Sequence, residues 1–210
     1  MKCSVKKPAL FDVLMPDGAV TPGGTQDWFR EEHPRRGGCG ATAGANLVWY
    51  LARSRACLSS LCRVGGGTQA EMLALMEEMF GFITPGRRGV DSSAMFTEGA
   101  VAYGEKHGAR ISPEVLELPE EQALRPSLGE VFGFLRSALE RDLPLAFLNL
   151  SNGEVETLDG WHWVVISAAD EETGRVTIHD DARAWEIDLA LWLRTTTLGG
   201  ALVALNAMAL

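Results

Sequence analysis

Cys39 stands in the run Gly37-Gly38-Cys39-Gly40-Ala41-Thr42, directly ahead of the apolar stretch Asn46-Leu47-Val48-Trp49-Tyr50-Leu51. A cysteine in the first turn of a helix lies among unpaired backbone N–H groups at the positive end of the helix dipole, which favours the nucleophilic thiolate over the thiol. Its own N–H is then placed to stabilise an oxyanion, and the flanking glycines are expected to let a substrate backbone come close. Far downstream, Trp161-His162-Trp163-Val164-Val165-Ile166 reads as a strand carrying one histidine, and Val176-Thr177-Ile178-His179-Asp180 ends a second strand on a carboxylate. Thiol, imidazole and carboxylate are the three parts of a nucleophilic site: an attacking atom, a base that takes its proton, and a group that fixes the base's tautomer.

Each residue has a plainer reading when taken singly, since an isolated cysteine is most often a buried small hydrophobe and an isolated histidine a satisfied core residue. Their company argues otherwise. Alternation along a strand puts Trp161, Trp163 and Val165 on one face and His162, Val164 and Ile166 on the other, so the histidine emerges near the strand start at the rim of a cleft. Asp180 can reach it if the two strands pair. Asp181 is the nearest competitor, because a slip of one residue would exchange the two. His179 reads as a surface neighbour.

The elements that must hold these residues follow from the pattern. Residues 1–38, rich in Pro, Gly and charge, read as an irregular lead-in with Trp28-Phe29 as the only large apolar anchor. A buried helix is expected from Cys39 to about Arg53. Gly65-Gly66-Gly67 leads into Thr68-Gln69-Ala70-Glu71, a capping box, with Met72, Leu75, Met76 and Met79 as the buried stripe behind it. The triplet lacks the Gly-Lys-Ser or Gly-Lys-Thr of a phosphate loop, which argues against nucleotide binding. Further helices are expected over Ser92–Lys106 and from Leu128 to about Arg141, with moderate strand character over Arg110–Leu118 between them. After Pro144 the texture turns to strands, at Leu145–Leu150, Trp161–Ala168, Arg175–His179 and Ala201–Ala207, separated by Asn-Gly, Asp-Gly and Glu-Thr-Gly turns. Helices first and strands later is an α+β pattern. The expectation is a single domain over 1–210, with a helical lobe over about 1–142 and a mostly antiparallel sheet lobe over 143–210.

Composition narrows the function. The chain has 210 residues with 46% hydrophobic and 22% charged, enough to bury a core without metal or disulfide staples. Its net charge of −9 disfavours nucleic acid and anionic membrane surfaces as partners. The N-terminal apolar stretch is broken by Pro8, Asp12 and Pro16, so no signal-peptide core is expected, no window suits a membrane span, and a cytoplasmic location is the default. In such a compartment Cys3, Cys39, Cys57 and Cys62 are expected as free thiols, with Cys57 and Cys62 buried.

The Gly38-Cys39-Gly40 helix start, the Trp161-His162-Trp163-Val164-Val165 strand and the Ile178-His179-Asp180 strand end together resemble the papain-like cysteine peptidases, and most closely the bacterial group similar to the double-glycine leader peptidases. Residues 55–140 carry no part of the likeness. The resemblance implies a papain-like fold, a catalytic set of Cys39, His162 and Asp180, and an upstream glutamine that completes the oxyanion hole. Gln26 is the only upstream glutamine, thirteen residues before Cys39, a longer gap than the family pattern, and Ala41 stands where the family commonly has proline. The implied activity is hydrolysis of a peptide or isopeptide bond through a thioester, on a peptide or protein substrate, with no metal or organic cofactor. An acyltransferase on the same fold and a non-catalytic peptide-binding domain are the alternatives. Substrate identity and oligomeric state are not legible in the residues.

Overall fold

A computed structural model describes all of residues 1–210. In chain order the elements are strands β1 (Lys2–Ser4), β2 (Asp12–Leu14) and β3 (Val20–Pro22), a 3-10 turn at Gln26–Trp28, and helices α1 (Glu32–Gly37), α2 (Cys39–Ser54), α3 (Gln69–Phe80) and α4 (Ser93–Lys106). Strand β4 (Ala109–Leu118) and helix α5 (Leu128–Glu140) come next. Then follow β5 (Leu145–Asn149), β6 (His162–Asp170), β7 (Arg175–Asp180), β8 (Arg183–Asp188), helix α6 (Leu189–Thr195) and β9 (Gly200–Ala209). The fold is mixed α+β: a helical region beside a sheet in the order β4-β9-β5-β6-β7-β8, every pair antiparallel, with β1 added to the far half of β6. No helix is long and apolar enough to cross a membrane.

The helix starts follow from local chemistry. Thr68 and Ser127 each close a capping box, with Glu71 and Glu130 reaching back to the cap N–H, while Ser92 and Asp188 cap α4 and α6 through their side chains. The Glu71 carboxylate also collects the N–H groups of Gly65 and Gly66, so the glycine triplet wraps a carboxylate of the protein itself. Hydrogen bonds, first from Thr68 and then from Gly65 and Gly66, outweigh the opposing effect of burial and hold its pKa at about 2. Helix α2 is different. Every residue from Cys39 to Ala52 is buried, so it runs through the core, packed against α3, β5 and β6, rather than along the surface.

Two expectations need correction. The lead-in is not irregular, and Trp28-Phe29 is not its only anchor: Val5, Phe11, Val13 and Phe29 are all at most 1% exposed. They stand singly between prolines and glycines, so they give no periodic signal, yet each enters the core as a separate plug. The division into a helical first part and a sheet second part is also incomplete. β1 and β4, both before residue 142, belong to the main sheet, where β4 pairs with β9 along ten residues from Ala109↔Ala209 to Leu118↔Gly200. β8 and α6 carry too little apolar alternation to have been expected.

Candidate active site

Cys39 is the first residue of α2. Gly38 before it has φ −88° and ψ 5°, and no side chain caps the helix, so the leading N–H groups of α2 surround the thiol without a competing cap. At Gly38 and Gly40 the space is taken by protein rather than left for substrate, which corrects the expectation above at those two positions. A Cβ on Gly38 would lie 2.5 Å from the Phe29 ring and closer still to Pro34 O, and one on Gly40 would lie 2.9 Å from Val90. The α1–α2 junction is packed so tightly that only glycine fits, and that tightness fixes Cys39.

His162 opens β6, and its position follows from register. Val165 pairs with His179, which places Asp180 across from Val164, one diagonal step from His162 and on the same face. His162 Nε2 accordingly lies 2.7 Å from Asp180 Oδ1, each side chain being 11% exposed. Asp180 Oδ1 also accepts the Asp181 N–H at 3.0 Å, so the carboxylate is itself oriented. Asp181 does not reach the histidine. It begins a two-residue turn with φ of 44° and 56° at Asp181 and Ala182, and its carboxylate accepts the Thr25 hydroxyl at 3.1 Å. Burial and the neighbouring Asp180 charge raise its pKa.

With Nε2 held by Asp180, Nδ1 is the ring nitrogen left for Cys39. Burial alone would lower the pKa of His162, but the hydrogen bond to the Asp180 carboxylate, with Cys39 nearby on the same cavity, overcomes it and lifts the value to about 10. An imidazole held at that value keeps its proton through neutral pH. Behind it, Trp163 stacks on Phe96 with centroids 4.4 Å apart and donates its indole N–H to Val90 O at 2.6 Å. Trp161 does not share that role. It precedes the strand at φ 56°, is 45% exposed, and meets the Arg88 guanidinium 5.9 Å from its ring centroid.

Gln26 joins the same place. Gln26, Cys39, Thr42, His162, Trp163, Asp180 and Asp181 line one cavity of about 10 Å³. The thirteen-residue gap between Gln26 and Cys39 is taken up by the 3-10 turn and α1, which fold the segment back on itself. Three contacts hold this segment. Asn46, buried two turns along α2 from Cys39, accepts the Gly24 N–H at 2.9 Å, Thr25 bonds Asp181, and His179 Nδ1 lies 2.9 Å from Pro22 O. His179 is thus no surface neighbour: it is 4% exposed, its Nε2 lies 2.8 Å from Ser167 Oγ, and burial lowers its pKa. Neither Asn46 nor His179 could be assigned this role from local pattern, because their partners lie 22 and 157 residues away. His33 lies outside the cavity, edge-on to Phe80 with ring centroids 5.8 Å apart.

A cavity of about 560 Å³ between α3 and α4 lies away from this cluster. Within it Glu78 pairs with Lys106 at 2.9 Å and with His107 at 3.1 Å. No three His, Cys, Asp or Glu side chains converge as a metal site requires. All four cysteines are free thiols, with Cys62 buried and pushed up to about 12 by that burial, but Cys57 is exposed, contrary to expectation, on a 3-10 turn after α2. No protein-family model matches the chain, and no curated protein matches it in sequence.

Proposed function

We propose that the chain is a papain-like cysteine peptidase, of the texture of the bacterial double-glycine leader peptidases, hydrolysing a peptide or isopeptide bond through a thioester. The fold reading draws support from α2, with Cys39 in its first turn, packed against an antiparallel sheet whose neighbouring strands present His162 and Asp180. The observation that carries the function is that His162 lines one cavity with the helix-start thiol of Cys39 while its Nε2 lies 2.7 Å from Asp180 Oδ1.

In this reading His162 takes the Cys39 proton and the thiolate attacks the scissile carbonyl carbon, pushing the carbonyl electrons onto oxygen. The Cys39 N–H and the Gln26 amide hold that oxyanion. Collapse expels the amine, which leaves with the proton from His162, and a thioester remains on Cys39. Water then attacks the thioester, giving its proton to His162, and the carboxylic acid departs as the thiol is restored.

The test is hydrolysis of a mixed peptide library by the wild-type chain, Cys39→Ala and Cys57→Ala, with iodoacetamide labelling mapped at neutral pH. Cys39 should be labelled ahead of the exposed Cys57, and only Cys39→Ala should abolish cleavage. Faster labelling of Cys57, or cleavage that survives Cys39→Ala, would remove the nucleophile. Product that forms only when an amine acceptor is supplied would assign acyl transfer in place of hydrolysis.

A further inference from the structure

We propose that Thr42 is a positioning residue for Gln26, its hydroxyl joined to Gln26 Oε1 through one bound water so that the amide NH2 is turned toward Cys39. The inference deepens the peptidase reading and rests on it. Asn46 and His179 hold the backbone at Gly24 and Pro22 and Asp181 holds the Thr25 side chain, which leaves the amide of Gln26 as the remaining freedom. That freedom matters, because the two ends of an amide have the same shape and opposite hydrogen-bonding roles. An NH2 facing the cleft stabilises an oxyanion, and a carbonyl facing it repels one.

Two buried polar atoms on this cavity have no partner within the protein, Gln26 Oε1 and Thr42 Oγ1. Such atoms are rare in a folded interior and point to a missing complement. Thr42 is 7% exposed and stands one turn after Cys39, on the same helix face. A threonine within a helix commonly returns its hydroxyl to the carbonyl four residues back, and this one does not. Gln26 Oε1 can only accept, so its complement must bring a donor, and the Thr42 O–H is the buried donor on that cavity without a partner. The two atoms do not meet directly. The cavity's volume of about 10 Å³ is of the order that one water needs.

The test uses Thr42→Val, which keeps the shape and removes the hydroxyl, and Thr42→Ser, which keeps the hydroxyl. A crystal structure of the full chain should show one ordered water within hydrogen-bonding distance of both Oγ1 and Oε1. Thr42→Val should move the Gln26 side-chain NH2 resonances and lower kcat by about fivefold, the size of one neutral hydrogen bond, with KM unchanged. Thr42→Ser should restore both, and the Thr42→Val loss should vanish in a Gln26→Ala background, as it must if Thr42 acts through Gln26. The absence of the water, unmoved Gln26 resonances, or an undiminished Thr42→Val loss beside Gln26→Ala would overturn the proposal. The water and the resonances are read without turnover. If the chain cleaves no peptide, the peptidase reading fails by itself and these two measurements still decide the role of Thr42.

Discussion

Asp180→Asn is the substitution that separates charge from shape at this site. An asparagine fills the same volume and its carbonyl can still accept from His162 Nε2 and from the Asp181 N–H, so the 2.7 Å geometry has no steric reason to change. What disappears is the negative charge beside a ring that is 11% exposed. A hydrogen bond to a charged group contributes about 1.5–3 kcal/mol against about 1 kcal/mol for a neutral one, and about 1.4 kcal/mol corresponds to one pH unit. The pKa of His162, lifted to about 10 in the native chain, should therefore fall by about 0.4–1.5 pH units in Asp180→Asn. Part of the elevation should survive, because Cys39 raises it as well. Ring-proton NMR across pH 5 to 11 reads this directly, with Asp180→Asn and His162→Gln spectra assigning the signal among four histidines. The same change appears in stability. A histidine whose folded pKa exceeds its ordinary 6.5 contributes stability that is fully present below 6.5 and is lost as pH rises through about 10. Native stability should decline over that window, and over a shorter window, by a smaller total, in Asp180→Asn. A native His162 that titrates near 6.5, or an Asp180→Asn signal that moves by less than about 0.4 pH units, would refute the reasoning.

Gln26→Ala should lower turnover by about a hundredfold to a thousandfold, the loss of one side-chain oxyanion donor, while iodoacetamide labelling of Cys39 stays at the native rate; unchanged turnover would leave the Cys39 N–H as the donor. Gly38→Ala should lower the melting temperature by about 4–8 °C, since its Cβ must displace the Phe29 ring and Pro34 O and overpacking of that kind costs about 2 kcal/mol. Calorimetry that finds the melting temperature unchanged would mean that the α1–α2 junction yields easily and does not fix Cys39.

The parts of the site that could be read in advance are those governed by short-range rules. Cys39 was legible because a helix start is a local event, announced by Gly38 and the apolar run behind it. His162 was legible because period-two alternation marks a strand within six residues. Asp180 over Asp181 was a matter of register. The competitor is excluded by the hairpin turn, where the positive φ angles of Asp181 and Ala182 end the pairing at Asp180↔Arg183 and send the Asp181 side chain to Thr25. The tertiary pairing chose between two neighbours that local pattern left open.

The supporting shell was illegible for a different reason. Nothing in Asn46, inside a run of apolar residues, distinguishes a ligand of a distant N–H from an ordinary helix residue, and nothing in His179 distinguishes a strut under Pro22 from a surface strand position. Such residues acquire their meaning only when the chain brings residues 22–26 across the start of α2. The glycines illustrate the same point in reverse. Gly37-Gly38-Cys39-Gly40 is open in sequence, and an open motif suggests space for a substrate, yet Gly38 is filled by Phe29 and Pro34 and Gly40 by Val90 and Ile83. The absence of a side chain says that something comes close and does not say what. At this helix start the neighbour is the protein itself, and the consequence is rigidity: under the proposed peptidase reading, a thiol whose backbone is held in place needs little reorganisation as charge develops on an attacked carbonyl, the condition under which fixed N–H donors act most strongly.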